Sequence, residues 1–258
     1  KSLTLARRWS DAIAELSRIV KDDLTPALRD EVEYWTGTTF FKMRRSYDVA
    51  GRKLLAVATR FSGERQAEAL FHGARALSRA DLDDEAIQRY QELTATHPGS
   101  RYAAEASFLS GWLEYNRGRY TDAQRRLTQT AQKYPGKFGE EARWYAAWSR
   151  YLAGDLPGAA ADLQTLAQRP AARVHADKAL YWAARALSLQ KGHEAEAEPL
   201  WRRLAVGDPL SYYAQLARLR LRERKVVLDG PLFTETSPLQ TPLQPQVLED
   251  PRLAADPI

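Results

Sequence analysis

The fold is decided by one stretch, Gly111-Trp112-Leu113-Glu114-Tyr115-Asn116-Arg117-Gly118-Arg119-Tyr120-Thr121-Asp122-Ala123, whose unit closes at Tyr134-Pro135-Gly136. A small residue in an aromatic-rich helix is followed by a glycine turn and then by a second, alanine-containing helix. Proline cannot continue a helix and glycine tolerates positive φ, so both mark stops. The stretch therefore predicts a helical hairpin.

Two independent markers repeat along the chain with one period. The small residues recur in steps of 36 to 38 residues, at Gly37, Gly73, Gly111, Ala147 and Ala184. An alanine followed four residues later by a large apolar residue keeps the same steps, at Ala12/Leu16, Ala50/Leu54, Ala86/Tyr90, Ala123/Leu127, Ala159/Leu163 and Ala197/Trp201. A shared period of this length is typical of repeat architectures.

We therefore predict an all-α fold, a right-handed superhelical solenoid of roughly five to six stacked hairpins. No hairpin can bury its apolar face alone, and stacking gives one continuous core. The solenoid is expected over residues 1–225, and frequent prolines predict an extended tail over 226–258. Asp81 and Asp155 are expected to cap the helices that follow them.

Composition and motifs argue against chemistry in this chain. Hydrophobic residues at 44% and charged residues at 28% are ordinary for a folded protein, and cysteine is absent. The four histidines stand far apart, so we predict no metal site, and no phosphate loop or nucleophile motif occurs. We expect no cofactor, no catalytic residue and no transmembrane segment. The net charge of +5 is compatible with acidic partners, but a solvated basic surface is the favoured explanation.

Aromatic residues supply the first candidate binding surface. Trp144, Trp148 and Tyr151 fall at i, i+4 and i+7, and Trp112 and Tyr115 lie one turn apart in the preceding unit. Such a helix face is suited to stacking on sugar rings or on a partner's apolar groups. The alternative interpretation is that these rings form the core between repeats.

A basic segment after the last repeat supplies the second candidate. Arg218, Arg220 and Arg222 alternate with leucines, a pattern that permits either a helix or a short strand. Contact with an anionic glycan, a phosphate or an acidic domain edge is one interpretation. A solvated last helix with favourable positive charge at its C-terminus is the other. Tyr212 and Tyr213 are expected to pack this helix onto the last repeat.

The quoted stretch resembles the tetratricopeptide repeat. Glycine, an aromatic residue, a glycine turn, an alanine twelve residues after the first glycine and a proline twelve after that match the pattern in order. The units are a few residues longer than usual and most lack the early leucine, so they are tetratricopeptide-like. The resemblance covers about residues 1–209 and implies the fold rather than a function.

A narrower resemblance follows the repeats. The segment Asp208-Pro209-Leu210-Ser211-Tyr212-Tyr213-Ala214-Gln215-Leu216-Ala217-Arg218-Leu219-Arg220-Leu221 is similar to the one that closes the superhelix of soluble periplasmic lytic transglycosylases. It implies a periplasmic, non-catalytic part of such an enzyme, with peptidoglycan and a lysozyme-like catalytic domain as partners. The family's catalytic Glu-Ser dipeptide is not found in these residues, so no catalytic residue carries over.

The alternative function belongs to another class, an envelope scaffold that binds other proteins in its groove. Envelope assembly proteins have repeats similar to the stretch His97-Pro98-Gly99-Ser100-Arg101-Tyr102-Ala103-Ala104-Glu105-Ala106. Nucleic acid is not expected as a partner, because the sequence has no recognisable motif and no one-sided arginine stripe.

Overall fold

The computed structural model describes residues 2–5, 7–19, 24–136, 138–208 and 210–228 of the chain. Its α-helices, in chain order, are α1 (Ser2–Leu5), α2 (Trp9–Arg18), α3 (Pro26–Lys42), α4 (Tyr47–Ala58), α5 (Gly63–Arg79), α6 (Asp83–Thr96), α7 (Ala103–Asn116), α8 (Tyr120–Lys133), α9 (Gly139–Leu152), α10 (Leu156–Ala167), α11 (Ala176–Ser188), α12 (Ala197–Gly207) and α13 (Tyr212–Glu223). Short 3-10 helices occur at Pro170–His175 and Glu194–Glu196. No strand is present in these ranges.

Each helix packs against the next, so the chain forms a row of hairpins. The hairpins are α3/α4, α5/α6, α7/α8, α9/α10 and α11/α12, and α13 packs on α12 and α11. Each hairpin also packs against the one that follows it, which confirms the predicted solenoid. The proline-rich tail predicted for 226–258 lies outside the described residues from position 229 onward.

The repeat markers are the points where two helices come closest. A Cβ atom at Gly37 would lie 2.9 Å from Cγ of Leu54, and one at Gly111 would lie 2.7 Å from Cγ of Leu127. The six marker alanines on the second helices are all buried. At Gly37 and Gly111 the leucine four positions after the marker alanine fills the space that the glycine leaves open, whereas at Gly73 the neighbour is Leu55.

A left-handed residue follows the first helix of each unit. These residues recur in steps of 36 to 38, at Arg7, Arg44, Asp81, Gly118, Gly154 and Gly192. Asp81 therefore ends α5, with φ of 59°, and its predicted capping role is wrong because α6 begins after Leu82 without a side-chain cap. The prediction for Asp155 is confirmed, since its carboxylate accepts a hydrogen bond from the Gly158 amide at 3.1 Å.

Candidate functional site

Trp144 belongs to the core. Only 6% of its surface is exposed. The ammonium group of Lys178 lies 3.7 Å from its ring centroid, and the ring of Trp148 stacks beside it at 5.8 Å. The His175 ring lies 6.2 Å away. An incoming sugar or side chain would have to displace these neighbours to reach the indole.

Trp148 and Tyr151 keep part of their surface exposed. The two rings stack at 4.9 Å on α9, and both contact Trp182 on α11, at 4.5 and 5.3 Å. All three side chains are half-buried. They therefore join two neighbouring hairpins through one aromatic contact, and that contact is also open to solvent on one side.

The second predicted pair, Trp112 and Tyr115, lies on α7 and is also half-buried. The Tyr115 ring meets Tyr145 of α9 at 5.2 Å. The Tyr145 hydroxyl interacts with the Trp112 indole, and burial raises the pKa of Tyr145 above its usual value. The phenol therefore stays neutral, although the Glu141 carboxylate lies close enough to act on it.

Half-buried rings on four helices, α7, α9, α11 and α13, form an aromatic band. The band is made of two groups of rings in contact, Tyr115 with Tyr145, and Trp148 and Tyr151 with Trp182 and Tyr213. At its end the Tyr213 hydroxyl interacts with the Trp182 indole. The pKa of Tyr213 is raised, first of all by burial.

Sequence reasoning selected Trp112, Tyr115, Trp144, Trp148 and Tyr151, and it missed half of the band. Tyr145 and Trp182 lie two residues before the small marker residues Ala147 and Ala184, and Tyr213 is expected from the sequence only to pack α13 onto the last repeat. A period of about 37 residues identifies equivalent positions in each repeat. It does not show which equivalent ring the next hairpin covers completely and which it leaves at an edge.

The basic segment forms a helix rather than a strand, and its arginines separate into two kinds. Arg218 donates from Nη2 to the Ala205 carbonyl oxygen at 2.6 Å. Arg220 donates to the Tyr181 hydroxyl at 3.3 Å and pairs with Glu223 at 2.9 Å. Arg222 is exposed. The first two therefore fasten α13 to the last hairpin, whereas Arg222 faces solvent.

The two tyrosines at the start of α13 behave differently. Tyr213 packs against Tyr181 at 5.7 Å, as predicted. Tyr212 is 69% exposed, so the prediction that it packs onto the last repeat is wrong. Adjacent helix positions point about 100° apart, and only one of the two can face α11.

No group of histidine, cysteine, aspartate and glutamate side chains in the described residues is arranged to hold a metal ion. None of the helices α1 to α13 combines the length and apolar character needed to cross a bilayer.

Comparison with known proteins bears on the repeats. The tetratricopeptide repeat family model matches residues 68–100 and 105–137. The first match covers most of α5 and all of α6, and the second covers most of α7 and all of α8. No curated protein matches the chain in sequence.

One similar solved structure is the C-terminal part of a TPR repeat-containing protein from Cytophaga hutchinsonii. The two chains are 13% identical, with a TM-score of 0.55, and the match covers 85% of this chain and 88% of the other. At this identity the likeness concerns the fold. The chain is thus an all-helical solenoid of tetratricopeptide-like repeats, two of which match the family model.

Proposed function

We propose that this protein is a scaffold that binds other proteins, and that the aromatic band holds an apolar segment of the partner. The observation that carries the proposal is that α9 contributes rings to both groups of the band, which together extend from α7 to α13. Its central contacts, between Trp148, Tyr151 and Trp182, span 4.5 to 5.3 Å. The rings are half-buried, so a partner can still cover their remaining surface.

Aromatic rings held in this way are good binding groups. Each offers a large apolar area, and rings already locked by their neighbours lose little conformational entropy when a partner arrives. Tryptophan and tyrosine are enriched among the residues that dominate binding energy at protein interfaces. A partner segment with apolar or aromatic side chains suits this surface, because the band itself provides no charged group.

A displayed random peptide library, selected on the folded protein, tests the proposal. Selected peptides should be rich in apolar residues, and Trp148→Ala and Trp182→Ala should each weaken their binding at least about tenfold, as expected for a central aromatic contact. Trp35→Ala is the matched control, because Trp35 is a half-buried tryptophan on a first helix outside the band. Peptides that bind both single variants as tightly as the unchanged protein would contradict the proposal.

A second candidate function is favoured by the segment at residues 208–221. In this proposal the chain is the non-catalytic superhelical part of a lytic transglycosylase in the periplasm, docking a lysozyme-like catalytic domain and helping to hold peptidoglycan strands. Its support is the resemblance of that segment, together with the fact that its residues from Tyr212 onward lie in α13, which packs on the last hairpin.

Co-sedimentation with purified peptidoglycan at low salt tests the second candidate. The appropriate variant is Arg222→Gln, because replacing Arg218 or Arg220 would also break contacts that hold α13 in place. Binding to the wall polymer should fall in the Arg222→Gln variant. If the unchanged protein stays in the supernatant, this candidate is refuted.

A further inference from the structure

A basic cavity of about 480 Å³ lies at the N-terminal end of the solenoid, away from the aromatic band. Residues from α1 to α5 and their connections line it, namely Thr4, Arg7, Trp9, Phe41, Lys42, Arg44, Tyr47, His72, Arg75 and Arg79. The volume falls within the range of small-molecule sites. No aspartate or glutamate of the described chain is part of the lining.

Its positive charges lack the partners that arginines have elsewhere in this protein. Many arginines of the described ranges pair with a carboxylate, as Arg60 does with Asp30. Arg7, Lys42, Arg44 and Arg79 form no ion pair with any described residue. Arg75 reaches Glu105 only at 3.9 Å.

One carboxylate lies in the adjoining cavity, which shares Arg7 and Trp9 with the basic one. This is Asp11, and it is already paired with Arg8 at 2.7 Å. Collecting cations in one place without counter-charges is unfavourable, and an anion placed among them would relieve the repulsion.

The backbone gives an independent reason to single out two of these cations. Arg7 and Arg44 occupy the left-handed position that ends a first helix, with φ of 60° and 56°. The equivalent position is Asp81 in the next repeat and glycine in the three repeats after it, at Gly118, Gly154 and Gly192. Glycine suits such a backbone, whereas a residue with a Cβ atom adopts it at a cost. The fold alone would favour glycine at both positions, and both arginines line the cavity.

The remaining lining residues supply apolar surface. Trp9, Phe41 and Tyr47 contribute rings, and Phe41 meets Tyr47 at 5.7 Å and His72 at 6.3 Å. Burial, reinforced by nearby Lys42 and Arg75, lowers the pKa of His72 to about 4, although Glu68 opposes the shift. His72 is therefore neutral near pH 7 and acts with the rings as an uncharged wall.

We propose that this cavity binds a small organic phosphate, with its phosphate among the arginines and its organic part against the rings. Guanidinium groups match phosphate oxygens with paired hydrogen bonds, and a phosphate ester carries up to two negative charges in a small volume. Five cations around one cavity suit that charge density. The site is separate from the aromatic band, and the proposal does not depend on the scaffold function.

Isothermal titration of the purified chain at low salt with phenyl phosphate, inorganic pyrophosphate and citrate tests the proposal. Both phosphates should bind in the millimolar range or tighter, and citrate more weakly than pyrophosphate. A parallel titration with inorganic phosphate provides the reference, and phenyl phosphate should bind at least about threefold more tightly than it, because the ring of phenyl phosphate contacts the apolar wall. Absence of heat with either phosphate, or tighter binding of citrate than of pyrophosphate, would overturn the proposal.

Substitutions distinguish anion binding at a defined site from non-specific attraction of anions to a basic protein. Arg44→Gly should weaken pyrophosphate binding at least about tenfold while raising the Tm, because glycine relieves the left-handed backbone. Asp81→Gly, at the equivalent turn outside the cavity, should raise the Tm and leave binding unchanged. In Arg44→Gly, weaker binding together with a higher Tm would show that a ligand contact, and not the fold, has been lost.

Two further variants test a second lining residue and an arginine outside the cavity. Arg79→Gln should weaken binding about as much as Arg44→Gly, since both side chains line the cavity. Arg203→Gln removes one exposed arginine from α12 and should leave binding unchanged. Equal loss in the Arg203→Gln variant, or none in the two cavity variants, would show that no such site exists.

Discussion

Gly111 and Leu127 hold α7 and α8 at their closest approach. A Cβ atom on Gly111 would lie 2.7 Å from Cγ of Leu127 and 3.0 Å from one of its methyl carbons, closer than non-bonded carbon atoms come. Leu127 is completely buried, so it has little room to move away. The glycine is therefore required by packing, and its own backbone is helical.

Adding one methyl group at this contact should destabilise the protein. We expect Gly111→Ala to lower the free energy of unfolding by about 1–3 kcal/mol, in spite of alanine's better helix propensity, because the core is overpacked. Chemical denaturation measures the change. Gly99→Ala is the control, since a Cβ there meets nothing within 4 Å. Equal stability of the two variants would contradict the packing argument.

The Glu114 carboxylate is a buried negative charge that forms ion pairs with two arginines. Its side chain is 6% exposed, and it pairs with Arg126 at 3.1 Å and with Arg119. Removing it leaves the half-buried Arg126 without a counter-charge. We expect Glu114→Ala to lower the free energy of unfolding by about 2–4 kcal/mol. This is near the lower end for a broken buried ion pair, because both arginines remain partly exposed to solvent.

A surface pair provides the comparison for Glu114. Glu198 and Arg202 pair at 2.8 Å with more than a third of each side chain exposed. Glu198→Ala should therefore change the free energy of unfolding by less than about 1 kcal/mol. Denaturation of both variants in the same buffer checks the difference, and a cost for Glu198→Ala as large as that for Glu114→Ala would refute the burial argument.

Asp155 caps α10 through the Gly158 amide. Asp155→Ala should lower the free energy of unfolding by about 1 kcal/mol, because the amide loses its acceptor. Asp155→Asn keeps an oxygen acceptor and should cost much less. Since Asp155 also lies 3.5 Å from Arg150, the asparagine variant measures the part due to that exposed ion pair. Thermal unfolding of both variants distinguishes the two contributions.

His72 should make the protein less stable in mild acid. Burial lowers its pKa in the folded state to about 4, from 6.5, with Lys42, Arg75 and Arg101 acting in the same direction and Glu68 opposing them. Between these values the unfolded chain binds more protons than the folded one, so stability falls as the pH is lowered from 7 towards 4.

The expected size of the His72 effect is up to about 2 kcal/mol between pH 7 and 5, from 1.36 kcal/mol per unit of pKa difference. The His72→Gln variant should lose most of this dependence. A residual slope is expected from His175, whose pKa is also lowered by burial. Urea denaturation at pH 7, 6 and 5 measures the slope, and an identical slope in the variant would refute the assignment to His72.

The periodic features of this protein were predictable from the sequence because they are local. Gly111 and Ala123 are the residues that a close helix pair requires, and Pro135 and Gly118 end helices by their own backbone chemistry. Such requirements recur in every hairpin and leave a visible period. The order of the hairpins and the boundaries of the helices follow from them.

The helical solenoid, its repeat length and the close helix contacts at Gly37 and Gly111 thus follow from the amino-acid sequence alone. Packing between hairpins is what covers Trp144 and leaves Trp148 partly exposed, and it is also what brings the cations of the basic cavity together. The same packing engages Arg218 with the Ala205 carbonyl oxygen while Arg222 faces solvent. The physical reason is that exposure and charge environment depend on neighbouring hairpins. Residues roughly one repeat apart along the chain become neighbours only when the hairpins stack.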